Sequence, residues 1–515
     1  MHRIPAPSAP HHRSNGSPNG RAHTIPVPVS TPSPKQQGEQ PPVDHSHSRW
    51  LILAMSGIGG VEFSVVMPSM WHYVEAIAPE PISVYLTDEK GFFRLDLDPV
   101  TTLLFAQTAF TFTSMCAKPI VGALSDKVGF ARLFAVSSFF GALGGLLYAL
   151  AGQKALTGGA HVGVGALLVA RMLGGFAGAM STLGNAYIVR TTPDAAQRGQ
   201  QLALIAAATL VGVFVGPAVV PLFAKVHDVK VGILTIDELN LPGFFLFTIF
   251  SLLLVVQPFI LREPAPLSAE VASPPGRPQL DNGTPASPGS APYAEEAASS
   301  RPPGGGRPGA FTLFLSYTST WVFACVMFST TPVVPVLTER YFGWGPVPNS
   351  YLFLSVAMFT LVGVVTTGNL LKAGWTHVPI QLVAVMLLLY HELYVFLYAE
   401  YIFANPFKFI FWVGVAATAY AGLSGSNAAA VTAAVNSRSA GFYIGLLGFI
   451  DTFGMSMGPL YLKMFRVDRG AQAGQAIALS RGVIAIPTAL LFVLHAIRFC
   501  RALGTGGLRP RLVLY

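Results

Sequence analysis

The chain has 515 residues, of which 52% are hydrophobic and 11% are charged. Soluble globular proteins carry roughly 25% charged residues, more than twice this fraction. The apolar residues fall in runs of about 20 or more, the length of a helix that crosses a bilayer. The net charge is +8, but the bases are scattered and form no stripe of the kind that binds nucleic acid. The composition therefore excludes a soluble enzyme and predicts a protein embedded in a lipid bilayer, with no nucleic-acid partner.

In chain order, the predicted elements are twelve membrane spans in two groups of six. The first group lies at about 50–73, 100–124, 131–152, 162–184, 200–224 and 241–261, and the second near 310–337, 350–371, 378–400, 407–435, 440–462 and 476–497. The predicted divisions are a disordered tail (1–48), a first helical bundle (49–262), a disordered linker (263–309), a second bundle (310–498) and a C-terminal tail (499–515). The tail and the linker are rich in polar residues, Pro and Gly, so they bury too little apolar surface to fold.

The distribution of Lys and Arg predicts where the termini lie. If the N-terminal tail and every second loop are cytoplasmic, most of the bases fall on the cytoplasmic side, as the positive-inside rule requires. Both termini are therefore expected in the cytoplasm. One external connection departs from the rule, and the bases assigned to it are Lys463, Arg466, Arg469 and Arg481.

The connection between the second and third predicted spans carries a glycine-bounded motif, Gly-Ala-Leu-Ser-Asp-Lys-Val-Gly-Phe-Ala-Arg, at residues 122–132. It resembles the signature loop of the major facilitator superfamily, G-x-L-x-D-R-x-G-R-[RK]. Gly122, Asp126, Lys127 and Gly129 match this pattern, and Arg132 supplies a base one position late. The resemblance implies a conformational latch, in which Asp126 pairs with a base or a helix N-terminus of the neighbouring bundle. The alternative is an ordinary charged turn.

A second motif occurs once in each half. Gly212, Gly216 and Pro217 in the fifth span resemble the superfamily's G-x-x-x-G-P pattern, and the eleventh span repeats it at Gly454, Gly458 and Pro459. Asn185 and Asn427 are separated by the same interval as the two prolines, so the halves are predicted to be diverged repeats. Glycines four apart allow close helix packing, and proline bends a membrane helix. These residues are expected to pack and kink helices.

Four charged residues inside the spans are candidates for solute binding or coupling. Glu62 lies about twelve residues, or ~18 Å, into the first span, close to the bilayer midplane. Three roles are open for it: carrying a proton, pairing permanently with Arg171 of the fourth span, or structural hydrogen bonding. Arg171 either has a functional role inside the bundle or extends its side chain towards the membrane surface. The roles of Asp451 and Glu392 are open in the same way. Glu392 and its neighbour His391 are expected to point in different directions around their helix.

Other kinds of chemistry find no support in the sequence. No Walker lysine motif is present, so ATP is not predicted to drive transport. The histidines of the N-terminal tail lack metal-ligand spacing, so neither a metal nor another cofactor is predicted.

Within the superfamily, residues 61–73 resemble the first span of the lysosomal major facilitator proteins of the neuronal ceroid lipofuscinosis type. The residues that carry the similarity are Phe63, Ser64, Val66, Ser69, Trp71 and Tyr73, with Arg171 and Gly174 of the fourth span in agreement. This resemblance implies an endolysosomal or vacuolar membrane, with the plasma membrane as the alternative.

The sequence thus predicts an all-α membrane protein with the major facilitator fold, twelve transmembrane helices in two six-helix bundles. Its expected function is secondary active transport of a small solute, with an anion as the candidate class and protons as the candidate coupling ion. Transport would proceed by alternating access to a central cavity. The alternatives are a channel-like anion (chloride) conductance of endolysosomal membranes and a membrane scaffold or sensor that transports nothing.

Overall fold

The computed structural model describes residues 46–85, 94–192, 195–226, 228–264, 309–435, 440–465 and 473–504. The helices of the first half are α1 (Ser46–Val65), α2 (Met70–Ile77), α3 (Pro99–Val128), α4 (Phe130–Ala151), α5 (Lys154–Thr157), α6 (Ala160–Ala177), α7 (Met180–Thr191), α8 (Ala195–Phe223) and α9 (Leu241–Ile260). Those of the second half are α10 (Ala310–Thr330), α11 (Val334–Phe342), α12 (Pro346–Lys372), α13 (His377–Phe403), α14 (Pro406–Ala434), α15 (Ala440–Lys463) and α16 (Ala473–Gly504).

Two short antiparallel hairpins connect helices in the first half. Strands β1 (Ile82–Tyr85) and β2 (Arg94–Leu97) pair with Ile82 opposite Leu97. Strands β3 (Val229–Val231) and β4 (Leu234–Ile236) pair with Val229 opposite Ile236. Apart from these strands and the connections between elements, the described chain is helical, as the sequence predicts.

The number of spans follows from helix length and apolar character. Within the described ranges, ten helical segments are long and apolar enough to cross a membrane, and the pair α1–α2, bent by 55°, raises the number to eleven. α15 has 24 residues, which is about 36 Å at the usual helical rise, and its apolar run is interrupted by Asp451. It packs along α3 and α10 and lies where the sequence predicts a further span.

The two halves repeat one packing pattern. In the first half α1 packs against α8, and α4 packs against α6 and α9. In the second half α10 packs against α15, and α13 packs against α14 and α16. The halves meet where α3 packs against α15 and where α8 packs against α12. The predicted fold class, two bundles of six membrane helices, is therefore confirmed.

Glycines allow the closest helix contacts in both halves. A Cβ added at Gly60 of α1 would overlap the Thr209 carbonyl oxygen of α8, and one at Gly212 would overlap the Gly57 carbonyl oxygen. In the second half a Cβ at Gly454 would lie 2.6 Å from the Trp321 carbonyl oxygen. The backbones of α1 and α8, and of α10 and α15, thus approach more closely than any side chain would permit.

A carboxylate fixes the end of the first bundle to the start of α4. The Phe130 and Ala131 amides donate to Glu263 Oε1 and Oε2 at 2.6 and 3.0 Å. These amides are at a helix N-terminus, where unpaired N–H groups and the helix dipole favour an anion. Gly129, which precedes the helix, has φ +92°, a conformation that disfavours other residues. Glu263 therefore anchors the chain that leaves α9.

The predicted N-terminal tail and linker fall almost entirely, and the C-terminal tail mostly, outside the described residues, so their boundaries stay predictions. At two of these boundaries the helices extend beyond the predicted spans. α1 begins at Ser46 and α16 continues to Gly504.

The glycine contact between α1 and α8 yields a matched test. Gly60→Val should lower the stability of the purified protein by about 1 to 3 kcal/mol, because the added atoms force two packed helices apart. Gly59→Val is the control, since a Cβ there meets nothing within 4 Å. Thermal unfolding followed by tryptophan fluorescence measures both. Equal losses of stability in the two variants would contradict the close packing at Gly60.

Candidate functional site

The first bundle buries an acid and a base on neighbouring helices. Glu62 on α1 is 2% exposed and Arg171 on α6 is 3% exposed. The guanidinium carbon of Arg171 lies 4.3 Å from the centre of the Phe110 ring, a cation–π contact. A Cβ at Gly174 would lie 2.6 Å from Glu62 Oε1, so the carboxylate occupies space that only glycine leaves open.

These two charged groups attract each other but are incompletely hydrogen bonded. Each contributes to the electrostatic environment of the other. Glu62 Oε2 and Arg171 Nε and Nη2 have no hydrogen-bond partner among the described residues. Buried polar atoms are normally paired because leaving one unpaired costs roughly 1 to 3 kcal/mol, and more if it is charged. The site is thus equipped to accept a further polar group.

A second set of polar side chains joins the two bundles. Lys118 Nζ on α3 donates to Thr452 Oγ1 on α15 at 2.7 Å. Asp451, the preceding residue, accepts a hydrogen bond from the Tyr420 hydroxyl of α14 at 2.9 Å. Lys118 and Asp451 each contribute to the electrostatic environment of the other. Asp451 therefore lies at the boundary between the halves, opposite a base of the first bundle.

A third pair of opposite charges lies inside the second bundle. Arg481 Nη1 is 3.2 Å from Glu392 Oε1, and His391 Nδ1 is 2.9 Å from the same oxygen. Arg481 Nη2 also donates to Ser329 Oγ at 3.2 Å and Thr330 Oγ1 at 2.7 Å. Glu392 is completely buried, and its two oxygens both accept from Arg481.

The position of Arg481 corrects the sequence analysis, which places it beside an external connection. The residue lies inside α16 and is 2% exposed. Its charge is compatible with burial because Glu392 compensates it. His391 and Glu392, expected to point in different directions, are joined by a hydrogen bond.

Aromatic and charged side chains connect the halves at one end of the bundle. The indole Nε1 of Trp71 on α2 donates to Glu339 Oε2 on α11, and His72 Nε2 is 3.8 Å from the same oxygen. Deeper in the interface, the Phe63 and Phe328 rings are 5.7 Å apart. The contact between Trp71 and Glu339 closes the end of the interface opposite to the Asp126 loop.

The predicted latch loop occupies the end of α3 and the start of α4. Gly122 and Lys127 lie in α3, Gly129 separates the two helices, and Arg132 lies in the first turn of α4. The side chain of Asp126 lies outside what the structure describes, so its partner stays a prediction.

The structure brings the predicted candidates together only in part. Glu62 and Arg171 share one site, Asp451 lies at the bundle interface, and Glu392 belongs to a separate cluster. Sequence reasoning did not identify Lys118, Tyr420 or Arg481 as partners in these clusters. The position of Lys118 within an apolar run could have identified it as a member of such a cluster. Within the described ranges, no group of three or more His, Cys, Asp or Glu side chains is arranged to hold a metal ion.

Comparison with solved structures reproduces the fold. A bacterial homologue of the human lysosomal transporter Spinster, in an inward-facing and unoccupied conformation, is 11% identical, with a TM-score of 0.58 over 88% of this chain and 98% of that one. A D-xylose–proton symporter is 12% identical, with a TM-score of 0.59 over 86% and 96%. The inward-open xylose transporter XylE from E. coli is 14% identical, with a TM-score of 0.58 over 85% and 95%. At these identities the similarity establishes the fold alone.

Sequence comparison establishes the family. No curated protein matches the chain. The family model of the Major Facilitator Superfamily matches residues 50–459, which includes helices of both bundles. The protein is a multi-pass membrane transporter and not an enzyme, and the chain belongs to the major facilitator superfamily.

Proposed function

We propose that this secondary transporter moves a small anion together with a proton, using Arg171 and Glu62. The observation that carries the proposal is that three buried atoms of opposite charged groups in the first bundle, Glu62 Oε2 and Arg171 Nε and Nη2, have no hydrogen-bond partner among the described residues. Two guanidinium nitrogens without partners can donate to a carboxylate, a phosphate or a halide. An arginine held by an aromatic ring and a nearby acid is oriented before a solute arrives.

Glu62 is the candidate proton carrier. Burying a carboxyl group away from water costs less when the group is neutral than when it is charged. The positive charge of Arg171 opposes this preference as long as no anion is bound to Arg171. An anion that neutralises Arg171 removes this opposition, so Glu62 binds a proton more readily when the solute is bound. Anion and proton binding would therefore favour each other, which is the thermodynamic basis of symport.

The other predicted sites receive different roles in this proposal. Asp126 remains the latch at one end, and the Trp71–Glu339 contact holds the opposite end closed. Glu392 stays a predicted coupling residue, although its complete pairing with Arg481 favours a structural role. The endolysosomal or vacuolar membrane, with both termini in the cytoplasm, rests on the sequence resemblance and on the distribution of bases.

Glu62→Gln tests proton coupling. In proteoliposomes supplied separately with chloride, inorganic phosphate or a small carboxylate, wild-type protein should accumulate one class when an inward proton gradient is imposed. The variant should lose this gradient-driven accumulation but retain exchange of solute for solute, which needs no net proton movement. Glu75→Gln, an exposed acid on α2, is the control. Full gradient-driven accumulation by Glu62→Gln would contradict the proton role, and sustained current without saturation would favour a channel.

Trp71→Phe tests the closed end. The variant keeps an aromatic ring but loses the indole N–H, so closure should weaken by about 1 kcal/mol, or roughly fivefold in population. The measurement is the labelling rate of Met67→Cys by a membrane-impermeant maleimide after Cys116, Cys325 and Cys500 are replaced by alanine. Trp375→Phe, at an exposed position, should leave this rate unchanged. An unchanged rate in Trp71→Phe would show that the indole N–H does not hold the end closed.

Asp126→Asn tests the latch at the opposite end. Removing the charge should leave the protein folded but weaken one facing by about 1 to 3 kcal/mol, the range of a charge-assisted hydrogen bond. Transport by the variant should consequently be slower at equal protein abundance. Glu80→Gln, in an exposed connection, controls for loss of a surface acid. Wild-type transport rates in Asp126→Asn would refute the latch.

A further inference from the structure

Four buried side chains of the first bundle carry polar atoms that no described residue binds. On α3, Gln107 is completely buried, and neither its side-chain oxygen nor its nitrogen has a hydrogen-bond partner within the described ranges. On α4, Tyr148 is 2% exposed, and its hydroxyl is unpaired in the same sense. Glu62 and Arg171 contribute three further atoms. Unpaired polar groups are rare in protein interiors, so their occurrence together needs an explanation.

The contacts between α3 and α6 place Gln107 beside Arg171. Arg171 contacts the Phe110 ring. Seven residues later on α6, a Cβ added at Gly178 would lie 3.3 Å from Ser114 Oγ. The two helices therefore run in the same direction, with Ser114 level with Gly178. Gln107 and Arg171 lie about two helical turns before these residues, on the same helix faces.

A second set of contacts places Tyr148 beside the same arginine. A Cβ added at Gly144 of α4 would lie 3.0 Å from the carbonyl oxygen of Ala170, the residue before Arg171. The Ala151 carbonyl oxygen of α4 would lie 2.8 Å from a Cβ added near the start of α6. Tyr148 lies between Gly144 and Ala151 on this face of α4, because residues three and four apart are neighbours on a helix. Its hydroxyl and Arg171 accordingly contribute to each other's electrostatic environment.

The neighbouring Tyr73 uses its hydroxyl in a different way. The rings of Tyr73 and Tyr148 are 4.8 Å apart. The Tyr73 hydroxyl donates to the Tyr148 carbonyl oxygen and accepts from the Gly152 amide at 2.8 Å. Ser69, whose hydroxyl is also near that of Tyr148, donates to the Val66 carbonyl oxygen at 3.5 Å. The protein thus binds the Tyr73 hydroxyl and leaves that of Tyr148 for another group.

The unpaired atoms favour one kind of anion. Arg171 Nε and Nη2 share an edge of the planar guanidinium, so their N–H bonds can reach two oxygens of one carboxylate or phosphate. The Tyr148 hydroxyl and the Gln107 side-chain nitrogen can donate as well. Gln107 Oε1 can only accept, so a solute that pairs it must carry a hydrogen. A halide has no hydrogen to donate and would leave this acceptor unpaired.

We propose that the solute bound at Arg171 is a small oxyanion that carries a hydroxyl group, and that Gln107 and Tyr148 bind it together with the arginine. Hydroxycarboxylates and dihydrogen phosphate share this chemistry. The charged oxygens bind Arg171 and Tyr148, and the hydroxyl donates to Gln107 Oε1. The inference rests on the proposed function, in which an anion occupies Arg171, but it does not depend on proton transfer by Glu62.

The experiment measures anion binding in the absence of transport. Purified protein is unfolded by heat in sodium glycolate, acetate, dihydrogen phosphate or chloride at equal concentrations. A ligand that binds the folded protein raises the midpoint, and the dependence on concentration gives the affinity. Glycolate is acetate with one added hydroxyl, so this pair isolates the hydroxyl. Phosphate distinguishes the two sources of the oxyanion, and chloride tests the halide.

The wild-type protein should prefer an oxyanion that has a hydroxyl. Either glycolate or dihydrogen phosphate should bind more tightly than both acetate and chloride by about 5- to 150-fold, the effect of pairing one buried polar group. Tighter binding of glycolate identifies a hydroxycarboxylate as the solute class, and tighter binding of phosphate identifies phosphate. Equal affinity for all four anions, or the tightest binding for chloride, would overturn the inference.

Three variants assign the preference to the named side chains. Gln107→Met keeps the length of the side chain but removes the acceptor, so the preference over acetate should disappear. Tyr148→Phe should weaken glycolate and acetate binding by the same factor, because its hydroxyl binds the charged oxygens. Arg171→Lys keeps the charge but loses the paired N–H groups, so every oxyanion should bind more weakly.

Stability without added anion separates binding from a structural role. Gln107→Met and Tyr148→Phe should unfold at the wild-type temperature or above it, because they remove groups that the protein itself leaves unpaired. Tyr73→Phe is the matched control, since it removes a hydroxyl with two hydrogen bonds. It should unfold at a lower temperature but keep the wild-type affinities.

The failure of the inference and that of the proposed function give different results. If Gln107→Met keeps the preference over acetate, or if Gln107→Met and Tyr148→Phe lose as much stability as Tyr73→Phe, these side chains do not bind the solute. The proposed function then stands, provided that Arg171→Lys weakens anion binding. If Arg171→Lys binds every anion as the wild type does, no anion occupies Arg171, and the proposed function fails together with the inference.

Discussion

The cost of placing charge inside a membrane organises this structure. A charged side chain at the bilayer centre is unfavourable unless it is paired, reaches water or is neutralised. Each of the acid–base pairs within the spans meets this constraint differently. Glu392 and Arg481 satisfy each other within one bundle, and Lys118 donates to Thr452 beside Asp451 across the two bundles. Glu62 and Arg171 keep atoms that have no hydrogen-bond partner in the part of the chain that the structure describes. In the proposed function, these different degrees of satisfaction distinguish a structural role from roles that involve motion or a ligand.

The same constraint relates local packing to transport. Arg481 binds Ser329 and Thr330 at the end of α10, just before the short 3-10 turn Thr331–Val333 that leads into α11. α11 carries Glu339, which accepts the hydrogen bond from Trp71. The rigid ion pair in the second bundle therefore supports the helix that closes one end of the interface. Glycine contacts such as those of Gly60 and Gly212 give the bundles the rigidity that rocking requires.

Much of the fold was predictable because membrane spans are long apolar runs and the family motifs recur at fixed places. The bend between α1 and α2 was not recognised, since one apolar run covers both, although Pro68 lies at the break and cannot donate a helical hydrogen bond. Arg481 was misplaced because a base near the end of an apolar run resembles a loop residue. Depth within the span identified Glu62, and depth together with the family resemblance identified Arg171. The contact of Lys118 with Thr452, beside Asp451, depends on how α3 and α15 align, which periodicity within each helix does not determine.

The central claim is that Glu62 takes up a proton when an anion occupies Arg171. Infrared difference spectroscopy of the reconstituted protein tests it most directly, since a carboxyl group that gains a proton acquires a C=O stretching band distinct from that of the carboxylate. Spectra with and without chloride, inorganic phosphate or a small carboxylate should show this band growing for the transported class, and Glu62→Gln should remove the change. Anion binding that leaves the carboxyl bands unaltered, or an identical change in Glu62→Gln, would contradict the claim.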